Sequence, residues 1–297
     1  MKHVRHLFLP IVLCSCGGSI APTGDVVIDL EAEDTITGGL SSGTSEDDVI
    51  DGWSIAYTEF VATVGHVHLG RTASGAMVSS PQLSTVDLRS LPTSGFTLAS
   101  FTALEATRWD VIGFTTPATT STSTRDATVS STDFDAMSAG GCTFLIAGAL
   151  TSDTSQTVDF RLCIPAPTDY GPCSTPDGMS GLAVVASATT PANVTIHGDH
   201  LWFNSFPAGA ESTVERRAQW MADCDADHDG HVTEAELRAM PASRVFTTTN
   251  HYDLAGAPSV DGHGITSAWD WVRAQMTTVG HFQGEGDCPW AAAPSGI

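Results

Sequence analysis

The stretch "WSIAYTEFVATVGHVHLG", residues 53–70, decides the fold. It is rich in β-branched and aromatic residues, alternates apolar with polar positions, and stops on a glycine; that is the signature of a strand. Runs of the same kind follow: "GFTLASFTAL" (95–104), "WDVIGFTT" (109–116), "CTFLIAGAL" (142–150), "TVDFRLCI" (157–164), "GLAVVAS" (181–187) and "NVTIHGDHLWFN" (193–204). Ser, Thr, Pro and Gly clusters separate them, and no helical periodicity interrupts them. The expectation is a β-rich N-terminal domain over residues 51–207, an antiparallel sandwich or barrel-like in form.

Outward from this block the composition changes twice. Residues 17–50 carry "GGLSSGTSEDDVIDG" at their end and are rich in Gly, Ser, Thr and acids, which suits a flexible tether. Beyond residue 208 the period becomes helical. Val214, Ala218 and Met221, with Trp220 beside them, fall at helical spacing, with Ser212 or Thr213 available as N-cap. A second short helix fits "TEAELRAM" (233–240), stopped by Pro241. A third fits "ITSAWDWVRAQMTTVGHF" (265–282), with Ile265, Trp269, Val272 and Met276 on one face. Residues 208–297 are therefore expected to form a small α-helical subdomain.

The stretch "DADHDGHVTEAE", residues 225–236, packs five carboxylates into twelve residues. Calcium takes six to eight oxygens, and a loop of this length supplies them with acids at the first, third and fifth places. A sharp turn at the sixth place needs a glycine. A backbone carbonyl serves at the seventh and a bidentate Glu closes the cage at the twelfth. Asp225, Asp227, Asp229, Gly230, His231 (through its carbonyl), Thr233 at the ninth place and Glu236 fill these positions. The stretch resembles the EF-hand loop at every diagnostic position, and the resemblance implies one Ca²⁺ acting as a structural clasp. Residues 259–270 resemble a degenerate partner. Asp261, Gly264 and Asp270 match, but Ser259 and His263 stand where acids are needed; Ile265 is expected to pair with Val232.

Histidines suggest a second, transition-metal (Cu or Zn) site. His66 and His68 lie two apart on a strand, which points both to one face. His197 and Asp199 repeat that spacing, with His200 beside them. If the two strands are neighbours, imidazoles and a carboxylate converge. A third possibility, a serine hydrolase, rests on "DGMSGL" (177–182), which resembles the nucleophile loop of chymotrypsin-like proteases, with Ser180 as nucleophile and His66 as base. The resemblance fails at Met179 and Leu182, and a nucleophile without a defined base and oxyanion hole has no catalytic machinery. No catalytic residue is assigned.

Charge and cysteines place the chain. Twelve Lys and Arg against 34 Asp and Glu give a net charge of −22, which disfavours nucleic acid as a partner. No residue marks a ligand or protein partner for the β-domain. Residues 1–16 read as an export signal, with Lys2 and Arg5 before the apolar "LFLPIVL". "LCSCGGS" (13–19) resembles the bacterial lipoprotein cleavage box, which implies lipidation of Cys16 and a membrane anchor. The expected location is the outer membrane or cell surface, with a periplasmic or secreted form as the alternative. Export permits disulfides. Cys224 with Cys288 would clamp the C-terminal segment onto the acidic loop, and Cys142 with Cys163 would bridge two strands. A Cys163–Cys173 bond is the rival pairing.

Overall fold

The computed structural model of the 297-residue chain describes residues 21–206 and 214–292. The expected export signal with Cys16, and the expected N-cap residues Ser212 and Thr213, lie outside the described residues. In chain order the strands are β1 (Thr23–Ala32), β2 (Trp53–Arg71), β3 (Ala76–Ser79), β4 (Leu83–Asp87), β5 (Phe96–Glu105), β6 (Arg108–Trp109), β7 (Val111–Thr116) and β8 (Thr124–Arg125). They continue as β9 (Phe144–Ser152), β10 (Thr157–Ile164), β11 (Thr168–Tyr170), β12 (Leu182–Ala183), β13 (Thr189–Ile196), β14 (His231–Val232), β15 (Gly280–Phe282) and β16 (Trp290–Ala292). The α-helices are α1 (Asp34–Gly38), α2 (Ser131–Gly140), α3 (Gln219–Ala222), α4 (Glu234–Ala239), α5 (Ala242–Val245) and α6 (Ala268–Met276). None is long and apolar enough to cross a membrane.

The fold is β-rich, as the alternation of residues 53–204 implied. Two sheets carry it: one of four strands in the order β15-β13-β1-β5, and one of ten built around β2. β2 is the spine of the larger sheet, pairing with β3, β4, β7 and β9 along its 19 residues. Inward residues of both sheets, including Val26, Ile28 and Leu30 of β1 and Ile55, Phe60 and Val64 of β2, belong to one buried core. The tryptophans of the C-terminal part, Trp220, Trp269 and Trp271, sit in that same core.

Several expectations change. Residues 17–50 are not a tether throughout: Thr23–Ala32 is a central strand, parallel to β13 and antiparallel to β5. Val26, Ile28 and Leu30 are fully buried and alternate with the less buried Val27, Asp29 and Glu31, a period-2 pattern overshadowed by the acidic, Gly-rich run after it. The sheets are mixed, since β1–β13, β4–β8 and β10–β14 are parallel pairs. Nor does the chain divide cleanly near residue 208, because β15 returns to β13 and β16 returns to β11.

The helical reading of the C-terminal part was too long at both ends. Val214–Ala218 precedes α3 as extended chain, because Arg216 bridges to both Val49 and Phe203. The α3 N-terminus is capped from a distant segment: Asp51 accepts hydrogen bonds from the Ala218 and Gln219 N–H groups at 2.9–3.1 Å. α6 ends at Met276, and "GHF" (280–282) is strand β15 rather than helix. Val232 pairs with Phe160 of β10, not with Ile265.

Cys142 and Cys163 form the expected disulfide at the end of the β9–β10 hairpin. Cys288 pairs with Cys173 instead of Cys224, and Cys224 is a buried free thiol. The reason is local: Gly171 and Ser174 donate N–H groups to Pro289 and Asp287, each at 2.8 Å, and lay residues 287–289 alongside 171–174. Burial, with the charges of Asp223 and Glu236 nearby, pushes the Cys224 thiol up to about 12, so it stays protonated. Peptide mapping under non-reducing conditions should recover the Cys142–Cys163 and Cys173–Cys288 peptides, with Cys224 alkylated only after unfolding. Removing the long-range bond in a Cys173→Ser/Cys288→Ser chain should cost about 3–4 kcal/mol by denaturant titration; an unchanged midpoint would contradict this pairing.

Candidate metal centres

The first centre grows from the ends of two adjacent parallel strands. Register pairs Ala32 of β1 with Ile196 of β13, so the next residues on each chain, Glu33 and His197, emerge together. β15 runs antiparallel on the other side of β13 and sets His281 opposite Thr195. After His197 the chain turns at Gly198 into the 3-10 turn His200–Trp202. A side chain on Gly198 could not fit: a Cβ there would lie 2.6 Å from Ile36 Cγ1. Its N–H donates to Glu33 Oε2 at 3.0 Å, while its carbonyl accepts from the Tyr57 hydroxyl.

Three imidazoles meet as a result. His197 and His281 stack with ring centroids 4.1 Å apart, and His200 stands edge-on to both at 5.3 and 5.1 Å. Each ring brings a nitrogen within 4.8 Å of one on the other two. His197 and His200 are almost fully buried. A carboxylate oxygen from Glu33 and one from Asp199 form an overlapping group with His197. The outer atoms of the rings are engaged as well. His200 Nδ1 lies 2.8 Å from Thr278 Oγ1, and His197 Nδ1 lies 3.8 Å from Glu33 Oε1.

Electrostatics hold His281 neutral and keep the two acids distinct. Burial, then the neighbouring His197 and His200, push His281 well below the usual imidazole range. Burial, reinforced by the charge of Asp199, raises Glu33 to about 7. Asp199 behaves oppositely: burial pushes it up, but His200, Arg216 and His197 together outweigh that and hold it below the usual carboxylate range. Arg216 grips Asp199 Oδ2 through both Nε, at 2.7 Å, and Nη2. Arg216 thereby takes one oxygen of Asp199; the other, Oδ1, is buried without a hydrogen bond, and Asp199 and Glu33 both border His197.

The second centre is the acidic loop. Asp225, Asp227 and Asp229 bring carboxylate oxygens within 4.8 Å of one another. Gly230 has φ of +84°, the left-handed turn that its place in the loop requires. Asp225 accepts from the Asp229 and Gly230 N–H groups at 3.2 and 3.1 Å, and its side chain is the buried one of the three. Glu236 folds back over the loop: Oε1 accepts from Ala226 N–H and Oε2 from Thr233 N–H, both at 2.9 Å. Burial would raise Glu236, but these hydrogen bonds from Thr233 and Ala226 outweigh it and keep the carboxylate ionised. Thr233 and Glu236 also form the capping box of α4. In the degenerate loop Asp270 does the same for α6 with Ser267, while Asp261 is taken by Arg273.

The remaining candidates separate. No metal-competent group among the described residues includes His66 or His68. Both lie in β2 of the larger sheet, whereas His197 follows β13 of the smaller one. A bulge at Gly65–His66, where His66 has φ of +48°, breaks the alternation that the spacing argument used. His68 instead packs on Gly113 of β7, where an added Cβ would lie 2.4 Å from its ring. Ser180 is on an exposed turn bridged to Ser174, its carbonyl accepting from Arg108 at 2.7 Å. It leads into β12 of the two-stranded sheet, while its supposed base, His66, is in the ten-stranded one. Glu33 and His281 were missed in the sequence, the first inside a segment read as tether and the second inside one read as helix.

An Arg216→Ala chain should lose about 3–5 kcal/mol at neutral pH, because Asp199 is left as a buried unpaired charge. The folded Asp199 titrates below its unfolded value of 3.8, so its contribution is complete above that value and is lost as the pH falls through the folded one. In the variant, burial without Arg216 raises Asp199, so protonation relieves the unpaired charge and the deficit against wild type should shrink between pH 7 and pH 3.5. Denaturant titrations at pH 7 and pH 3.5 measure both effects; an equal deficit at the two pH values would remove the ion pair as the cause. Comparison with protein-family models, with curated proteins and with solved structures gives no match to the chain.

Proposed function

We propose that this chain is an exported, lipid-anchored calcium-binding protein: a β-sandwich-like domain whose C-terminal EF-hand subdomain holds one Ca²⁺ in residues 225–236. One observation carries the reading. Three carboxylates at alternate positions converge within 4.8 Å, and the loop turns at a left-handed glycine. The closing glutamate is already folded back over them. Without a cation, three like charges at that spacing repel, while a hard divalent ion converts the repulsion into ligation.

The surroundings support a clasp more than a switch. β14, inside the loop, pairs with β10 through Asp159–His231 and Phe160–Val232. Gly230 O also accepts from the Asp159 N–H at 2.8 Å. Val232 and Leu237 are buried in the common core, so the loop is fixed to the larger sheet. A signalling hand opens an apolar groove between its helices; here α3 has four residues and α4 six, and α4 packs on α6.

An ion bound only by the folded state stabilises it by RT ln(1+[L]/Kd), about 2.7 kcal/mol at a hundredfold excess over Kd. Chelating calcium should therefore lower the melting temperature by roughly 5–10 °C. Glu236→Gln should abolish tight binding in a calorimetric titration and make the melting temperature insensitive to chelator. Unchanged calcium affinity in this variant would sink the assignment.

A further inference from the structure

We infer that His197, His200 and His281 form a binding site for one divalent transition cation of the zinc–copper kind, with Glu33 and Thr278 as its outer supports. This site is separate from the acidic loop and does not depend on the calcium reading. Its donors are three imidazole nitrogens, the ligand set that suits zinc and copper and that calcium, which takes oxygen, does not use.

The construction is that of a metal shell. The three rings come from three segments brought together only by the sheet: the end of β13, the 3-10 turn after it, and β15. Their nitrogens lie within 4.8 Å of one another, although apolar rings would fill the same buried space without the cost of burying polar atoms. Metal-bound imidazoles carry a hydrogen-bonding partner on the outer nitrogen, which fixes the tautomer and the ring plane. Thr278 Oγ1 takes that place at His200 Nδ1, and Glu33 Oε1 faces His197 Nδ1. This assigns the Nε2 atoms of both rings to the ion; the 3.3 Å contact of His197 Nε2 with Gly284 O is given up on binding.

Around this shell the protein is rigid. Tyr57 holds the turn at Gly198 and is itself held by Trp202 Nε1 at 2.8 Å. The Phe203 ring stacks on His200 at 4.4 Å. Arg216 holds Asp199 through Oδ2, and this acid fixes the turn between His197 and His200. Among the described residues no cysteine belongs to the group.

The test uses the full-length chain, loaded separately with Zn²⁺ and Cu²⁺ and desalted before elemental analysis. Wild type should retain one transition ion per chain, and X-ray absorption should find three imidazole nitrogens at about 2.0–2.1 Å for zinc. His281→Gln should weaken binding by more than a hundredfold, Thr278→Val by about 10–100-fold. His66→Gln should leave binding unchanged. Glu236→Gln, which addresses the calcium loop, should keep the transition ion. The inference is overturned if wild type retains no stoichiometric ion, or if His281→Gln retains it. A first shell with fewer than two imidazoles overturns it too, and that reading needs no variant to fold.

Discussion

The buried pair of Arg216 with Asp199 is the constraint that ties the histidine cluster to the rest of the chain. Its guanidinium grips Asp199, donates to the Glu46 carbonyl at 2.6 Å and lies 5.3 Å from the Phe203 ring. Its backbone bridges Val49 on one side and Phe203 on the other. One residue thus ties together the acidic segment before β2, the turn that carries His200, and the chain entering α3. A charge so enclosed is costly unless every donor has an acceptor. That requirement fixes the geometry of all three segments at once.

The link has a direction along the chain. Residues 197–203 build the histidine cluster, 216–218 anchor its turn, and 225–236 form the acidic loop. Between them Trp202 lies 6.0 Å from Trp220, and Arg217 N–H donates to the Trp202 carbonyl at 2.8 Å. An ion in the loop therefore braces the segment that presents Arg216 to Asp199. The acidic surface follows the same logic. A net charge of −22 gathers cations at the surface and is relieved locally wherever one is held.

How much of this the sequence revealed follows from whether the information is local. The strands of residues 53–204 alternate visibly, and the Cys142–Cys163 bridge sits at the end of a hairpin whose two arms are adjacent in the chain. The loop at 225–236 is legible for the same reason: its donors and its turn lie within twelve residues. β1 was hidden because its alternation over Val26, Ile28 and Leu30 is short, is blurred by Val27, and is followed by a run of Gly, Ser and acids. His281 was hidden because Gly280–Phe282 follows directly on an amphipathic helix, and three residues carry no period of their own. His66 and His68 misled because a one-residue bulge cancels the rule that residues two apart share a face.

The two centres consequently differ in when they can exist. The carboxylates of the acidic loop need only a local turn, whose closure costs little entropy. The histidine centre needs β1 laid parallel to β13 and β15 laid on its other edge, which are contacts of long sequence separation. Such contacts form late, because the chain must lose the entropy of large loops before they reward it. The three imidazoles and Glu33 therefore come together only in the completed sheet, and the site they make reports that the sheet is closed. A cation bound there would stabilise a state in which every strand of the smaller sheet is already in register, holding the first and last parts of the chain together at one point.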